Sequence, residues 1–290
     1  MQRRSFLALS GIGLLPSSFA ALAASSGRPS GFETRCRELE TESGGQLGVY
    51  LFDARTDSEF LYRAETRFPM CSTFKWLAAA AVLGQVDAGR EGLDRLVRID
   101  PKAVLDYSPV TARHAGGPGL SLAKICDAAI TESDNTAGNL LIEAAGGLTG
   151  FNDFLRRQGD TVTRLDRMEP ALNEGLPGDP RDTTTPAAMG ASLRRLLLGE
   201  GLSPASRQQL SDWMLATRTS GQRLRAGLEP GWRLADKTGT GQHGIANDVG
   251  IYWTPAGEPV VICVYLAQAK APYGIQQSVI ARLGQWARQG

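Results

Sequence analysis

Strand-like segments stand near the two ends of this 290-residue chain, with a long helical stretch between them. Gln46–Asp53 alternates and is rich in Leu, Val, Tyr and Phe, and Glu59–Arg63 can return beside it as a hairpin. Strand patterns resume only at Trp232–Lys237, Ile245–Trp253 and Val260–Gln268. In between, apolar spacing predicts helices at Ser72–Asp87, Leu120–Thr131, Thr136–Ala145, Phe151–Gln158, Pro186–Leu198 and Pro204–Leu215. Two more are predicted at Glu33–Thr41 and Tyr273–Arg288. Few architectures satisfy that order. The fold class is α/β (α+β): one antiparallel sheet built from both termini, flanked by helices, with an all-helical lobe inserted. Residues 27–66 and 216–290 are assigned to the α/β lobe and residues 67–215 to the helical lobe. A cleft is expected at the seam, where the start of the helical lobe meets the late strands.

The first 24 residues are excluded from the fold. Arg3-Arg4-Ser5-Phe6-Leu7 opens an apolar stretch that Ser10, Gly11, Gly13 and Pro16 interrupt, and Ala21-Leu22-Ala23 offers a cleavage site. This predicts an exported, periplasmic protein with a leader of twin-arginine type, or else an ordinary secretory leader. No later segment is apolar for long enough to span a bilayer. Formal net charge is +1 without a block of like charge, so nothing points to nucleic acid or an anionic membrane as partner. A monomer is expected. Cys36, Cys71, Cys126 and Cys263 form no C-x-x-C pair, and only His114 and His243 could join them, which argues against a zinc site. A chain that folds before export cannot depend on disulfides, so four free, mostly buried thiols are expected.

Four short runs carry the chemistry. Ser72-Thr73-Phe74-Lys75 opens a helix, and a serine there is commonly an N-cap. The spacing also puts Lys75 on the face of Ser72, where a desolvated amine can act as a base for the hydroxyl. The same S-x-x-K pattern occurs at Ser121-Leu122-Ala123-Lys124, after Gly116-Gly117-Pro118-Gly119, and is read as a plain N-cap. Ser133-Asp134-Asn135 precedes a helix; it is either a cap or a hydroxyl and carboxamide offered as proton relay and amide clamp. Lys237-Thr238-Gly239-Thr240-Gly241 ends a strand, either as an exposed lysine with a glycine turn or as an edge that pairs with an extended, anionic ligand. Glu169 lies in the loop Arg164–Asp182, which holds Pro170, Pro177 and Pro180 and no predicted helix. Loops of that length are often functional. Pro170 biases Glu169 away from helical geometry, Arg167 and Asp182 can close the loop as an ion pair, and Glu169 with Asn173 can position a water.

Together these runs resemble the class A β-lactamases, whose S-x-x-K, S-D-N and K-T-G set they reproduce in order, with Glu169-Pro170-Ala171-Leu172-Asn173 between the second and third. The resemblance extends over Phe68–Leu77, Tyr107–Thr111, Thr131–Leu141, Arg167–Asn173, Asp179–Pro186 and Ala235–Asp248. It implies Ser72 as nucleophile toward a β-lactam carbonyl, with Lys75, or Glu169 through a water, as base. It further implies an oxyanion hole from the Ser72 and Thr240 N–H groups, and Ser133 held by Lys237 as proton donor to the ring nitrogen. Asn135 and the Thr240 strand would hold the acylamino chain, and Thr238, Thr240 and an arginine the substrate carboxylate. Glu169 and Asn173 would drive deacylation. Tyr107 would line the rim, unless it packs in the core. No cofactor is implied.

Two departures follow. Gln242–Asp248 lacks the arginine many relatives carry after K-T-G, so Arg223 in Gln222-Arg223-Leu224 is assigned instead, a solvated surface arginine being the alternative. Cys71 resembles the half-cystine of the family's carbapenemases, but Gly241 stands where its partner would be, so no bridge and no carbapenem hydrolysis is implied. The implied activity is hydrolysis of penicillins and cephalosporins, conferring resistance. The alternative is a D-alanyl-D-alanine peptidase or penicillin-binding protein that shares three motifs and the fold. A sensor domain would need a membrane segment and an output domain, and a Ser-His-Asp hydrolase a G-x-S-x-G turn, and neither pattern is seen.

Overall fold

A computed structural model describes residues 31–289, so the predicted leader lies outside the described residues. Helix α1 (Phe32–Ser43) stops at Gly44, whose left-handed φ of 64° lets its N–H reach the carbonyls of Glu40 and Thr41. Strands β1 (Gln46–Asp53) and β2 (Ser58–Tyr62) form the predicted hairpin. The short β3 (Phe68–Pro69) leads through a 3-10 turn, Cys71–Thr73, into α2 (Phe74–Asp87). There follow β4 (Leu96–Val97), β5 (Leu120–Ser121), α3 (Leu122–Thr131), α4 (Asn135–Ala144), α5 (Gly147–Arg157) and β6 (Thr183–Thr184). Then come α6 (Pro186–Leu193), α7 (Pro204–Leu215), β7 (Arg233–Gly241), β8 (Ile245–Trp253), β9 (Pro259–Ala267) and α8 (Tyr273–Arg288).

The five long strands make one antiparallel sheet in the order β2-β1-β9-β8-β7, so the two ends of the chain meet where β1 pairs with β9. Alternation in β1 separates two apolar faces rather than an apolar from a polar one. Leu47, Val49 and Leu51 pack with Phe32, Cys36 and Leu39 of α1 and with Val279, Ile280 and Leu283 of α8. Tyr50 and Phe52 face the other way, into the larger core that holds α2. Residues 74–83 of α2 are buried all round, as a helix without a polar face must be, and its alanines let α3, α4, α5 and α7 pack closely around it. Each fully buried Leu, Val or Phe contributes roughly 1.5–3 kcal/mol, so this helix anchors whatever it carries.

Three differences from the sequence reading are local. The helix from Pro186 changes to a π-wound turn at Arg194–Leu198, closed by the Gly199 N–H on the Arg194 carbonyl at 2.8 Å. Strand β7 runs through the Lys237–Gly241 motif instead of ending at Lys237. The loop Arg164–Asp182 contains a 3-10 turn, Ala171–Asn173, whose Leu172 is buried in the core. The Glu169–Pro170 bond before it is cis.

That loop is closed as anticipated. Asp182 is fully buried and accepts from the Asp166 and Arg167 N–H groups at 2.7 and 2.9 Å and from Arg167 Nε at 2.6 Å. Its carbonyl accepts the Met70 N–H at 2.9 Å, tying both loop ends to the approach to Ser72. The four cysteines are buried free thiols, and burial pushes that of Cys36 up to about 12, which leaves it unreactive. No helix among the described residues is long and apolar enough to cross a membrane. Removing the Asp182 carboxylate leaves Arg167 Nε and two backbone donors without an acceptor, although Arg167 Nη1 keeps Glu174 at 2.6 Å. Asp182→Ala is therefore expected to cost about 2–4 kcal/mol of unfolding free energy, read by denaturant titration; an unchanged midpoint would deny the loop its anchor.

Candidate active site

Ser72 stands on a turn pressed against a strand. A Cβ on Gly239 would come within 2.6 Å of the Met70 carbonyl and 3.2 Å of the Thr73 N, so only glycine lets β7 approach the Cys71–Thr73 turn this closely. Cys71, just before Ser72, is held at φ 45°, a conformation disfavoured for a residue with a Cβ. Ser72 is no cap: α2 has no side-chain cap, and the Ser72 hydroxyl faces Lys75 instead. Ser121, by contrast, caps α3 through the Lys124 N–H, as read from the sequence.

Lys75 is the hub. Its Nζ lies 2.9 Å from Ser72 Oγ, 2.8 Å from the Ser133 carbonyl, 2.7 Å from Asn135 Oδ1 and 3.0 Å from Glu169 Oε1. An ammonium has three donors for those four oxygens. Burial drives the Lys75 pKa down, against the pull of the Glu169 carboxylate, which favours loss of a proton from this crowded ammonium. The seat is tight: a Cβ on Gly138 of α4 would fall 2.7 Å from Lys75 Cε.

Lys237, on β7, is equally buried and donates to Ser133 Oγ at 2.9 Å and to the Thr238 carbonyl at 2.8 Å. Burial, then repulsion from Lys75, holds its pKa well below the ordinary lysine value. Ser133 has φ 60°. Asp134 caps α4 at the Ala137 N–H and also accepts from the Val110 N–H, the Thr111 N–H and the Thr111 hydroxyl, which fixes the segment bearing Tyr107. Asn135 adds its N–H to the Tyr107 carbonyl and its Nδ2 to the Asp106 carbonyl. Tyr107 is 63 % exposed at the rim, so the core-packing alternative falls.

Glu169 points inward and is 4 % exposed. Asn139 clasps its backbone from α4, accepting the Glu169 N–H at 2.8 Å and donating to its carbonyl at 3.0 Å. Asn173 Nδ2 donates to Glu169 Oε2. Glu169 Oε1 and Asn173 Oδ1 are left buried without a well-aligned protein donor, although Oε1 lies close to Lys75. Arg223 is 1 % exposed, not a surface arginine, and stands behind β7 with Nη1 on the Gly239 and Asn247 carbonyls.

These groups surround one cavity of about 540 Å³ lined by Ser72, Tyr107, Ser133, Asn135, Asn173, Arg223, Thr238, Gly239 and Thr240. Lys75, Glu169 and Lys237 sit beneath its floor. Strand β7 is the sheet edge beside it, with backbone groups that no neighbouring strand uses. Sequence reasoning missed three contributors. Asn139 carries a usable signal, four residues after Asn135 and hence on the same helix face. Thr219, whose hydroxyl lies 2.6 Å from that of Thr238, and Tyr273, the first residue of α8, carry none. A Cβ on Gly241 would lie 2.5 Å from Cys71 Sγ, which places the residue facing Cys71 and leaves that thiol without a partner.

Comparison with known proteins agrees with this geometry. The model of the "Beta-lactamase enzyme family" matches residues 31–289. The chain is 44 % identical over 245 residues to β-lactamase AER-1 of Aeromonas hydrophila, covering 84 % of this chain and 81 % of that protein. It is 42 % identical over 243 residues to β-lactamase CTX-M-8 of Citrobacter amalonaticus, covering 84 % and 83 %. Among solved structures, an ancestral class A β-lactamase of Gram-negative bacteria superposes with a TM-score of 0.86 at 54 % identity, over 89 % of this chain and 98 % of that one. A putative class A enzyme, PenP from Rhodopseudomonas palustris, gives 0.86 at 49 % identity, over the same shares. With a family match over nearly the whole described chain and the four motifs gathered on one cavity, this protein belongs to the class A β-lactamases.

Proposed function

We propose that the protein opens the β-lactam ring of penicillins and cephalosporins through an acyl-enzyme on Ser72, and so confers resistance to them. The observation that carries this reading is the placement of the Lys75 amine 2.9 Å from the nucleophile and 3.0 Å from a buried carboxylate. Ser72 Oγ adds to the lactam carbonyl as Lys75 takes its proton, a step of the kind worth about 10²–10⁴ in rate. The Ser72 and Thr240 N–H groups receive the developing oxyanion. Ring opening breaks the C–N bond, and Ser133, supplied through Lys237, protonates the departing nitrogen. Glu169 then takes a proton from a water that Asn173 helps to hold; the water attacks the ester, the C–O bond to Ser72 breaks, and the proton returns to Ser72 Oγ. Their two unsatisfied oxygens support that role.

A D-alanyl-D-alanine peptidase would leave the Glu169, Asn139 and Asn173 assembly without a task, which favours the hydrolase. We divide the chain into an α/β lobe of residues 27–66 and 216–290 and a helical lobe of residues 67–215, with the cleft at their seam. We read residues 1–24 as an export leader of twin-arginine type and the mature enzyme as a periplasmic monomer acting on small β-lactams.

Three substitutions test the assignment. Ser72→Ala is expected to abolish nitrocefin turnover with an unaltered melting midpoint. Glu169→Ala is expected to keep acylation measurable while steady turnover falls at least about 10²-fold, with a stoichiometric penicilloyl adduct visible by intact mass; undiminished turnover removes Glu169 from the mechanism. Asn139→Ala deletes both clasps on Glu169. It is expected to lower stability by about 1–3 kcal/mol and to slow deacylation more than acylation in single-turnover experiments.

A further inference from the structure

Arg223 was assigned to the substrate carboxylate, but its hydrogen bonds are already committed. Nη1 gives its two N–H groups to the Gly239 carbonyl at 2.8 Å and the Asn247 carbonyl at 2.6 Å. Nη2 gives its two to Thr240 Oγ1 at 2.6 Å and Tyr273 Oη at 2.7 Å. Its remaining N–H, on Nε, is buried without a partner. A guanidinium has five N–H donors, so none is left exposed for a ligand.

As a pair, the two hydroxyls are in the opposite state. Each accepts from the guanidinium with its oxygen; Thr240 gives its O–H to Tyr273 Oη, which leaves the Tyr273 O–H to give, and a hydroxyl polarised by a cation is a stronger donor. Both line the cavity, and Tyr273 is 49 % exposed at the start of α8, within reach of a ligand. Its ring stands 5.7 Å from the guanidinium carbon, so the side chain is held by a cation–π contact as well as by the hydrogen bond. Burial disfavours the Tyr273 phenolate, yet Arg223 and Thr240 outweigh it and bring the pKa below that of an ordinary tyrosine, as expected of a phenol in a cationic field.

We infer that Tyr273 donates a hydrogen bond directly to the substrate carboxylate beside Thr240, and that Arg223 is a positioning residue acting through these two hydroxyls. The inference rests on the β-lactam reading and specifies how the anion is held. Two residues before Thr240 on the same face of β7, Thr238 shares a hydroxyl pair with Thr219 at 2.6 Å, so the anion meets a row of hydroxyls backed by a buried positive charge rather than an exposed cation.

The test compares a β-lactam acid with its methyl ester. For purified Tyr273→Phe, kcat/KM is measured for benzylpenicillin and for benzylpenicillin methyl ester, with the melting midpoint recorded. The acid-over-ester preference is expected to fall about tenfold, the loss of one hydrogen bond to a charged acceptor. A preference equal to that of the wild type overturns the inference, as does an equal loss on both substrates, which marks a structural role. In a double-mutant cycle with Arg223→Lys, the losses in preference are expected to be less than additive; additive losses would mean that Arg223 acts independently of Tyr273. A wild-type protein that opens neither substrate sinks the β-lactam reading itself, whereas wild-type turnover with unchanged discrimination in the variant sinks only the role of Tyr273.

Discussion

Lys75 has to sit without solvent between a hydroxyl, a carbonyl, a carboxamide and a carboxylate, and most of the architecture follows from holding it there. A lysine in such a site cannot be stable on Coulombic grounds alone, because desolvation opposes the charge. The fold compensates by surrounding Lys75 with apolar residues throughout 74–83 of α2, so that packing around this part of the helix secures its one polar side chain. Gly138 then removes the Cβ that would otherwise displace the Lys75 chain. A second amine, Lys237, is buried nearby, and each ammonium lowers the other's tendency to ionise. At neutral pH this arrangement reduces stability, and a core of two apolar layers offsets it.

Strain is concentrated in the same place. Among the non-glycine residues with positive φ are Cys71, Tyr107, Ser133 and Asp182, which precede the nucleophile, form the rim, present the second hydroxyl and anchor the loop of Glu169. Each such conformation costs on the order of 1–3 kcal/mol and persists only where neighbours fix it. Here the neighbours are identifiable: Asp134 clamps the Tyr107 segment, and Arg167 and two backbone donors hold Asp182. The charged groups that look catalytic therefore divide into two sets. Lys75, Lys237 and Glu169 gather around the Ser72 and Ser133 hydroxyls; Asp134, Asp182 and Arg167 hold their carriers in place.

Much of this was legible in the residues. The strands at the chain ends, the Ser121 cap and the Arg167–Asp182 closure follow from periodicity, capping chemistry and charge placement, whereas an isolated Glu169 reads as a solvated surface residue and only the resemblance turns it inward. The family resemblance added the roles that such patterns alone leave open between cap and catalyst. What stayed hidden depends on three dimensions. Two-residue strands such as β3 and β6 have no period to read. Tyr273 looks like the first residue of an amphipathic helix until α8 packs beside β7 and Arg223. Arg223 itself was found, but its commitment to four protein oxygens is invisible without the sheet that supplies three of them.

The claim beneath all of this is that Lys75 is an amine whose proton is readily lost because it is buried. Titration of the Lys75 side-chain nitrogen by NMR in uniformly labelled protein, assigned by comparison with Lys75→Arg, measures that directly. The account predicts a midpoint below the ordinary lysine value of about 10.4. A midpoint at or above the ordinary value would mean that the ammonium is the resting state throughout the working range, and would contradict Lys75 as the base.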